Sequence, residues 1–476
     1  MAVQRRGARE LSGFIHGLGF VDLPLCVVAQ GQRRVLDLLG IAAVGAGTRL
    51  SHLACEHAAR HFGAVGAGAR ILFDGRRVSP VGAAMAGGMT IDSLDGHDGH
   101  ALTKGHVGAA VLPALLSLAD GDADVDGPGL LTAVVIGYEL GIRAGMALHA
   151  TAGDYHSSGA WNALACAGIA ARLLRLSPQA TEHALGIAEY HGPRGLMMRC
   201  IDHPTMVKDG SGWGAMTGVS AALLAADGFT GAPALLVHDD QPDVAALWTD
   251  LGARWRILEG YFKPYPVCRW AQPALQAALE LRNRYELTAT QIDHAEVVTF
   301  DHAARLRTRR PTTTEEAQYS LPFPVAAALA RGTVGPAEID HDGLADEQVL
   351  RLSDSMTITE SHEYTARFPA KRWADVTVVL RDGRRITSGP TTAAGDPENP
   401  MTDAELIHKF HTLAEGPLGR QRSVAIVLAV RQLTDPAADL QQLFEPILSS
   451  AAEGGPPNST STPGRQLSSG AAPDVA

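Results

Sequence analysis

Apolar residues recur at helical spacing through most of the first 255 positions of the chain. Stretches with this period predict helices over 30–46, 51–62, 81–89, 107–119, 130–149, 158–174, 178–188 and 216–226. Ser177 before Pro178 is typical of an N-cap followed by a proline at the first helical position. The pattern predicts a large all-helical domain over 9–257.

The pattern changes near Tyr261. A helix over 273–285 is followed by a strand-like run at 295–300, and a further helix is predicted over 325–330. Residues 373–387 alternate on both sides of Asp382-Gly383, which is a strong β-hairpin signal. Residues 258–400 are therefore predicted to form a separate α+β unit.

Two more helices follow the α+β unit. Thr402 and Glu405 have the spacing of a capping box, which predicts a helix to about Ala414, and a second helix is predicted over 420–433. We expect 401–448 to complete the helical domain, so that the α+β unit is an inserted lid in a mainly α fold. Residues 1 to about 8 are expected to be frayed. The Ser/Gly/Pro-rich stretch 449–476 is expected to be a disordered tail.

Composition narrows the class of protein. The formal net charge of −11 argues against a nucleic-acid partner and against a membrane-surface role. The five cysteines form no Cys-x-x-Cys pair, and the N-terminus has no apolar segment behind its arginines. No apolar run reaches the ~18 residues that span a bilayer. The chain is expected to be a soluble cytoplasmic protein.

The segment 95–108 interrupts the apolar helices with two aspartates, three histidines, one lysine and four glycines. Histidines that titrate near neutrality, together with carboxylates and a cation, are what acid–base chemistry requires. The density of titratable groups favours an active-site loop over a solvated polar loop. Asp95, His97, His100 and His106 are chemically capable metal ligands. However, the glycines leave their geometry loose and no helical His-x-x-x-His occurs, so no metal is expected.

Three further clusters are candidates for binding an anion. Residues 154–158, which include Tyr155 and His156, precede a predicted helix N-terminus, where they act as an anion site or only as a cap. In 203–214, Lys208 precedes glycines that lack nucleotide-binding spacing and allow either close approach of an anion or close packing. The segment 261–270 carries Lys263 and Arg269. It is either a stiff linker or a cover over a pocket between the domains.

The order of these motifs resembles the MmgE/PrpD family, which includes 2-methylcitrate dehydratase, cis-aconitate decarboxylase and iminodisuccinate epimerase. The resemblance runs from residue 30 to 433. It is carried by the segments 93–106 with 111–116, 207–208 with 221–231, 262–268, 318–329 and 395–402. It implies a helical domain with an inserted α+β lid, a homodimer, no metal or organic cofactor, and small di- or tricarboxylate substrates.

The resemblance also implies roles for individual residues. Asp95 and His106 match the family's loop aspartate and histidine, His156 its second histidine, and Lys208 and Lys263 its two lysines. We expect these five residues to be catalytic. The residues expected to bind the carboxylates of the substrate are Lys104, Arg269, His100 and Tyr155.

Three positions depart from the family pattern. The usual His-Pro-Ser at the loop end is His106-Val107-Gly108 here. Gln272 replaces a histidine of the lid, and Phe323 replaces a tyrosine that the decarboxylase carries. The expected function is a cofactor-independent lyase of dehydratase type that abstracts a proton next to a carboxylate. The alternatives are an epimerase or isomerase working by two-base proton transfer, and a non-catalytic helical dimer with a relic pocket.

Overall fold

The structure, a computed structural model, describes residues 11–120 and 124–451. Its N-terminal part is mainly helical, as the apolar pattern predicts, but a small antiparallel sheet of Ala69–Arg70 and Arg77–Val78 corrects the expectation of an all-helical domain. A helix over 11–17 is followed by Leu25–Gly45, Arg49–His61, Pro80–Asp92, Gly108–Ala119, Gly127–Thr151, Gly159–Leu173, Pro178–His191, Met197–Asp202, Ser211–Ala226, Leu235–His238 and Pro242–Trp248. The predicted helices are confirmed with ends shifted by a few residues. The short helices at 197–202, 235–238 and 242–248 were not predicted, because they span only one or two turns.

Small residues let these helices pack at close range. A Cβ atom at Gly212 would lie 2.5 Å from the carbonyl oxygen of Met85, and one at Gly214 would lie 2.8 Å from that of Gly159. Helix Ser211–Ala226 therefore packs closely against Pro80–Asp92 and Gly159–Leu173. The glycines after Lys208 thus serve close packing, one of the two interpretations of that segment.

The longest helix, Gly127–Thr151, lies in the middle of this domain. It is long and apolar enough to pass for a membrane span by length and composition, which corrects the expectation that no such stretch exists. An 18-residue window of it is 94% buried inside the protein, as in the core helix of a globular domain.

The second part of the fold is α+β. Its sheet has four strands in the order Thr357–Glu360, Ile292–Thr299, Ala374–Leu380 and Arg385–Thr387. The first pair is parallel and the other two pairs are antiparallel, and the hairpin predicted at Asp382-Gly383 is confirmed. The helices of this part are Gln272–Tyr285, Asp301–Ala304, Thr314–Gln318, Pro322–Arg331, Glu347–Ser355 and His362–Thr365. The prediction of a mainly α fold with a smaller α+β domain is confirmed.

The last helices return to the N-terminal part of the chain. They are Asp403–Leu418, Arg420–Gln432 and Gln441–Ile447, and the first packs along Leu25–Gly45. The capping box of Thr402 and Glu405 is present. The ammonium group of Lys409 donates to Asp37 Oδ1 at 2.6 Å and to the carbonyl of Gly96 at 2.8 Å. The C-terminal helices therefore support the polar loop directly.

The predictions for the two ends of the chain can be compared with the structure only where residues are described. Residues 1–10 and 452–476, which include the predicted frayed start and most of the predicted tail, lie outside the described residues. Ser449, where that tail was predicted to begin, is contacted by Arg422, whose Nη2 donates to its carbonyl at 2.8 Å. The domain boundaries at 257, 400 and 448 stay predictions.

Candidate active site

The polar loop lies inside the protein and not in solvent. It begins where helix Pro80–Asp92 ends and closes where Gly108–Ala119 begins, and all residues from Asp92 to His100 are buried. Gly99–His100 pairs antiparallel with Gly260–Tyr261, the strand that leads into the α+β domain. The interpretation of this segment as a solvated loop is therefore wrong.

Asp95 and Lys263 form an ion pair at the centre of the site. Both side chains are almost fully buried, and Lys263 Nζ also donates to the carbonyl of Asp95 at 3.0 Å. The backbone that carries Lys263 is held on the α+β domain, where the Phe262 N–H donates to the Gly395 carbonyl at 3.0 Å. Burial alone would raise the pKa of the Asp95 carboxyl. The charge of Lys263, together with smaller contributions from His106, Lys208 and His97, outweighs the effect of burial, so that this pKa lies well below its usual range.

His106 lies beside this ion pair with one ring nitrogen fixed by the backbone. Its Nδ1 is 2.6 Å from the carbonyl oxygen of Asp98, so Nδ1 carries the hydrogen and Nε2 is left with a lone pair. Nε2 lies 3.8 Å from Asp95 Oδ1. Burial, aided by the charge of Lys263, lowers the pKa of His106 to about 3. The imidazole is therefore neutral near pH 7 and has a free nitrogen that can accept a proton.

A second imidazole, that of His97, packs edge-on against His106. The two ring centroids are 4.4 Å apart with perpendicular planes. His97 Nε2 lies 3.4 Å from Asp92 Oδ1, although neither ring nitrogen of His97 has a hydrogen-bond partner among the described residues. Burial lowers the pKa of His97 to about 3 and raises that of Asp92 to about 6. His97 therefore faces the buried cluster and not solvent.

Lys208 reaches the same cluster through Gln318. Its Nζ donates to Gln318 Oε1 at 2.5 Å, and the same oxygen accepts the Asp95 N–H at 2.8 Å. The amide nitrogen of Gln318 donates to the Ser93 carbonyl at 3.1 Å, which fixes the orientation of the side chain. Lys208 is buried and forms no ion pair within the described part of the chain. Its ammonium group is therefore free to bind an anion.

Two sets of polar residues hold the site in place. Ser158 Oγ accepts the His106 N–H and donates to Asp209 Oδ1, both at 3.0 Å, and the Tyr319 hydroxyl donates to the other Asp209 oxygen at 3.2 Å. The side chain of Asp98, whose carbonyl fixes His106, lies 3.1 Å from Arg34 Nη1. The Tyr138 hydroxyl donates to that carboxylate at 2.9 Å. These contacts fix the backbone on both sides of His106.

The other predicted site residues lie around this cluster. The hydroxyl of Tyr155 donates to the carbonyl of Lys104, and Lys104 Nζ lies 4.5 Å from the Tyr155 ring centroid. The backbone of His156 pairs with Leu196, and within the described residues no hydrogen bond or ion pair joins its ring to Asp95 or His106. The Gly159 N–H donates to the Asp209 carbonyl, so the helix end after His156 offers one fewer free amide than expected.

His100 and Arg269 contact charges of the protein itself. His100 Nε2 lies 3.6 Å from Glu259 Oε2, and Arg269 Nη2 lies 2.6 Å from Asp396 Oδ1. Arg269 also donates to the Ala394 carbonyl at 3.0 Å. The structure therefore brings Asp95, His106, Lys208 and Lys263 together, and places His156 and the predicted substrate-binding residues outside that set of contacts.

Asp95, His97 and His106 have the donor atoms for a metal ion, which lie within 4.8 Å of one another. Their chemistry fits a metal poorly. The Asp95 oxygen nearest to His106 already accepts a hydrogen bond from the Lys263 ammonium group, and a divalent cation beside that charge would be repelled. The arrangement favours an organic anion, and the absence of a metal stays a prediction.

Sequence reasoning missed Asp92, Asp98, Asp209 and Gln318. Asp209 follows Lys208 directly and Gln318 opens a family motif, so both carried a signal. The role of Gln318 depends on contacts with residues 110 and 223 positions away, which no local pattern encodes.

Fold and site together define a mainly helical protein with a smaller α+β domain and a buried cluster of acid–base groups and lysines between them. Comparison with known proteins gives the family. The MmgE/PrpD N-terminal domain matches residues 9–242 and the MmgE/PrpD C-terminal domain matches 265–434. The chain belongs to the MmgE/PrpD family, as its motifs predict.

Known proteins similar to this chain include cis-aconitate decarboxylases. That of Aspergillus terreus is 25% identical, with 92% of this chain and 96% of the relative covered. The cis-aconitate decarboxylase-like protein oryM of Aspergillus oryzae is 26% identical over 91% and 96%. The enzyme of Mus musculus is 23% identical over 90% of each chain.

Proposed function

We propose that the protein is a lyase of dehydratase type that acts on a small di- or tricarboxylate. It would remove a proton from a carbon next to a carboxylate without a cofactor. The observation that carries the proposal is a neutral imidazole, that of His106, beside two buried lysines, of which Lys263 is paired with a carboxylate and Lys208 with a neutral amide oxygen. A base next to two buried ammonium groups suits a substrate that is both an anion and a carbon acid.

The charges around the site support an anionic substrate. Asp95 balances Lys263, while Lys208 has a neutral partner, the Gln318 carbonyl oxygen. A buried cation without a counter-charge is costly, and a substrate carboxylate would remove that cost.

The proton-transfer step follows from the orientation of His106. Its Nε2 takes the proton, and Asp95, 3.8 Å away, stabilises the imidazolium that forms. The electron pair left on carbon delocalises into the carboxylate, whose growing charge Lys208 and Lys263 offset. When the C–O bond to a β-hydroxyl breaks, the leaving oxygen takes a proton from the ammonium group of Lys208, and water departs. The products are an unsaturated carboxylate and one water molecule.

Decarboxylation is a second candidate, favoured by the names of the relatives, which are cis-aconitate decarboxylases. It would use the same lysines, but release CO2 and place a proton on the carbon it leaves. Phe323 is buried and offers no hydroxyl to donate that proton, and the nearby Tyr319 hydroxyl is bound to Asp209. We therefore favour dehydration.

Proton NMR in D2O with 2-methylcitrate, citrate, cis-aconitate and iminodisuccinate tests the proposal. New vinyl signals from a hydroxy acid without CO2 are expected. Vinyl signals with CO2 would mean a decarboxylase, and deuterium entering next to a carboxylate without other change would mean an epimerase. If no compound changes, and His106→Ala binds all four as the wild type does, the proposal is wrong.

A further inference from the structure

A cavity of about 470 Å³ lies between the polar loop and the α+β domain. Cavities of this size accommodate small organic ligands. Its walls come from the loop at 100–102, the connection at 258–259, and the α+β segments 370–373, 392 and 396–399. A ligand in it would contact both domains and the same loop that carries His106.

Arg372 differs from the other charged residues on the wall of this cavity in how few polar contacts it makes. Its side chain is 5% exposed, yet its hydrogen bonding within the described residues is one contact of 3.4 Å to the Ala101 carbonyl. Its Nε is buried without a partner, and no ion pair involves it in the described part of the chain.

The other charged side chains on this wall already have partners. Lys371 pairs with Glu398, Asp396 pairs with Arg269 at 2.6 Å, and Glu259 accepts from Arg254 at 2.6 Å. A buried guanidinium group with so little compensation is costly unless an anion completes it, and its planar set of donors matches a carboxylate.

Tyr261 connects Arg372 to the catalytic cluster. The guanidinium carbon of Arg372 lies 5.3 Å from the centroid of the Tyr261 ring. Tyr261 pairs with Gly99, and a Cβ atom on that glycine would lie 2.5 Å from the Tyr261 hydroxyl and 2.9 Å from His106 Nδ1. One tyrosine side chain therefore spans the space between Arg372 and His106.

We propose that Arg372 is a specificity-determining residue that binds a carboxylate of the substrate remote from the carbon that loses its proton. The inference rests on the proposed function, since it assigns a subsite to the same polycarboxylate. The cavity then holds the distal end of the substrate, while Lys208 and Lys263 bind the end beside His106.

The test measures binding of propane-1,2,3-tricarboxylate, which offers three carboxylates and no leaving group, by titration calorimetry. We expect Arg372→Gln to raise its Kd by about tenfold or more, the usual effect of losing a charged hydrogen bond. Lys371→Gln is the matched control, because it removes the same charge from the same wall at a residue already paired with Glu398. Its Kd should stay within about twofold of wild type.

Arg372→Met guards against misfolding, since it keeps an apolar stem against Tyr261 and Phe368. Near-UV circular dichroism shows which variant keeps the native packing. If either Arg372→Gln or Arg372→Met keeps the native packing and binds with a Kd within about twofold of wild type, the inference is overturned. Equal losses in the 371 and 372 variants, or no binding to the wild-type protein, would overturn it as well.

Measuring turnover distinguishes a failure of this inference from a failure of the proposed function. If the wild type dehydrates a polycarboxylate and Arg372→Gln leaves its KM unchanged, the subsite is wrong and the function stands. If no polycarboxylate reacts, yet Arg372→Gln loses binding as expected, the proposed reaction is wrong and the subsite stands.

Discussion

Three histidines of one loop have different surroundings, and this difference assigns their roles at the residue scale. His106 is oriented by a backbone carbonyl and lies beside Asp95, His97 packs against it near Asp92, and His100 faces Glu259. Residue type and spacing alone treat the three alike. Their contacts single out His106 as the base.

Replacing His106 by Asn tests this assignment. The amide nitrogen of Asn can take the place of Nδ1 and donate to the Asp98 carbonyl, while the nitrogen that accepts the proton is lost. We expect kcat to fall by about 10²–10⁴-fold, the usual contribution of a general base, with little change in Tm. Steady-state kinetics and thermal melting measure the two effects.

His52→Asn is the control, because His52 is exposed on helix Arg49–His61. It should behave as the wild type in both measurements. A His106→Asn enzyme with wild-type kcat would show that another group takes the proton.

At the scale of elements, close contacts between helices determine where the site residues lie. Lys208 and Asp209 lie just before helix Ser211–Ala226, separated from it by Gly210, and Ser158 directly precedes Gly159–Leu173. The two helices meet at Gly159 and Gly214, so this contact also sets the distance between Ser158 and Asp209. Packing and catalytic geometry are coupled here.

Gly212→Ala should push helix Ser211–Ala226 away from helix Pro80–Asp92. Its new methyl group would lie 2.5 Å from the Met85 carbonyl oxygen and 3.0 Å from the Met89 nitrogen, both backbone atoms that cannot move alone. We expect the free energy of unfolding to fall by about 1–3 kcal/mol, as overpacking does, and kcat to fall with it. Urea denaturation and the turnover assay measure these changes.

Gly13→Ala is the matched control, because Gly13 is exposed in the helix over 11–17 and a Cβ atom there would meet nothing within 4 Å. This variant should gain about 0.5–1 kcal/mol from the better helix propensity of alanine. If both variants changed stability in the same direction, the contact with Met85 would not be the cause.

At the scale of the whole molecule, periodicity predicted the order and type of most elements, because apolar faces repeat wherever a helix covers a core. It missed strand Thr357–Glu360, a short edge strand whose residues are mostly exposed and therefore do not alternate. In the site, the family motifs pointed to Asp95, His106, Lys208 and Lys263. They could not show Arg372, because its surroundings come from Ala101, Tyr261 and Phe368, which are far apart in the sequence.

Stability of the whole fold should depend on pH through Glu139, which joins the central helix to the connection into the α+β domain. Its carboxylate accepts the Ile257 N–H at 2.9 Å and lies 3.2 Å from Arg143 Nη2. Burial raises the pKa of Glu139 from 4.5 to about 7, an effect larger than the opposing one of Arg143. Between these two values the folded chain keeps a proton that the unfolded chain has released.

Because the folded state binds more protons in this range, the free energy of unfolding should fall as pH rises from about 4.5 to about 7. The whole shift corresponds to about 3 kcal/mol.

Glu139→Gln keeps an oxygen for the Ile257 N–H and removes the titration. Urea denaturation between about pH 5 and pH 8 should therefore show Glu139→Gln gaining stability relative to wild type as pH rises. The exposed Glu286→Gln should show a constant difference. A constant difference for Glu139→Gln as well would mean that Arg143 keeps Glu139 ionised in the fold. In that case the junction between the two domains would be held by a buried ion pair and not by a protonated acid.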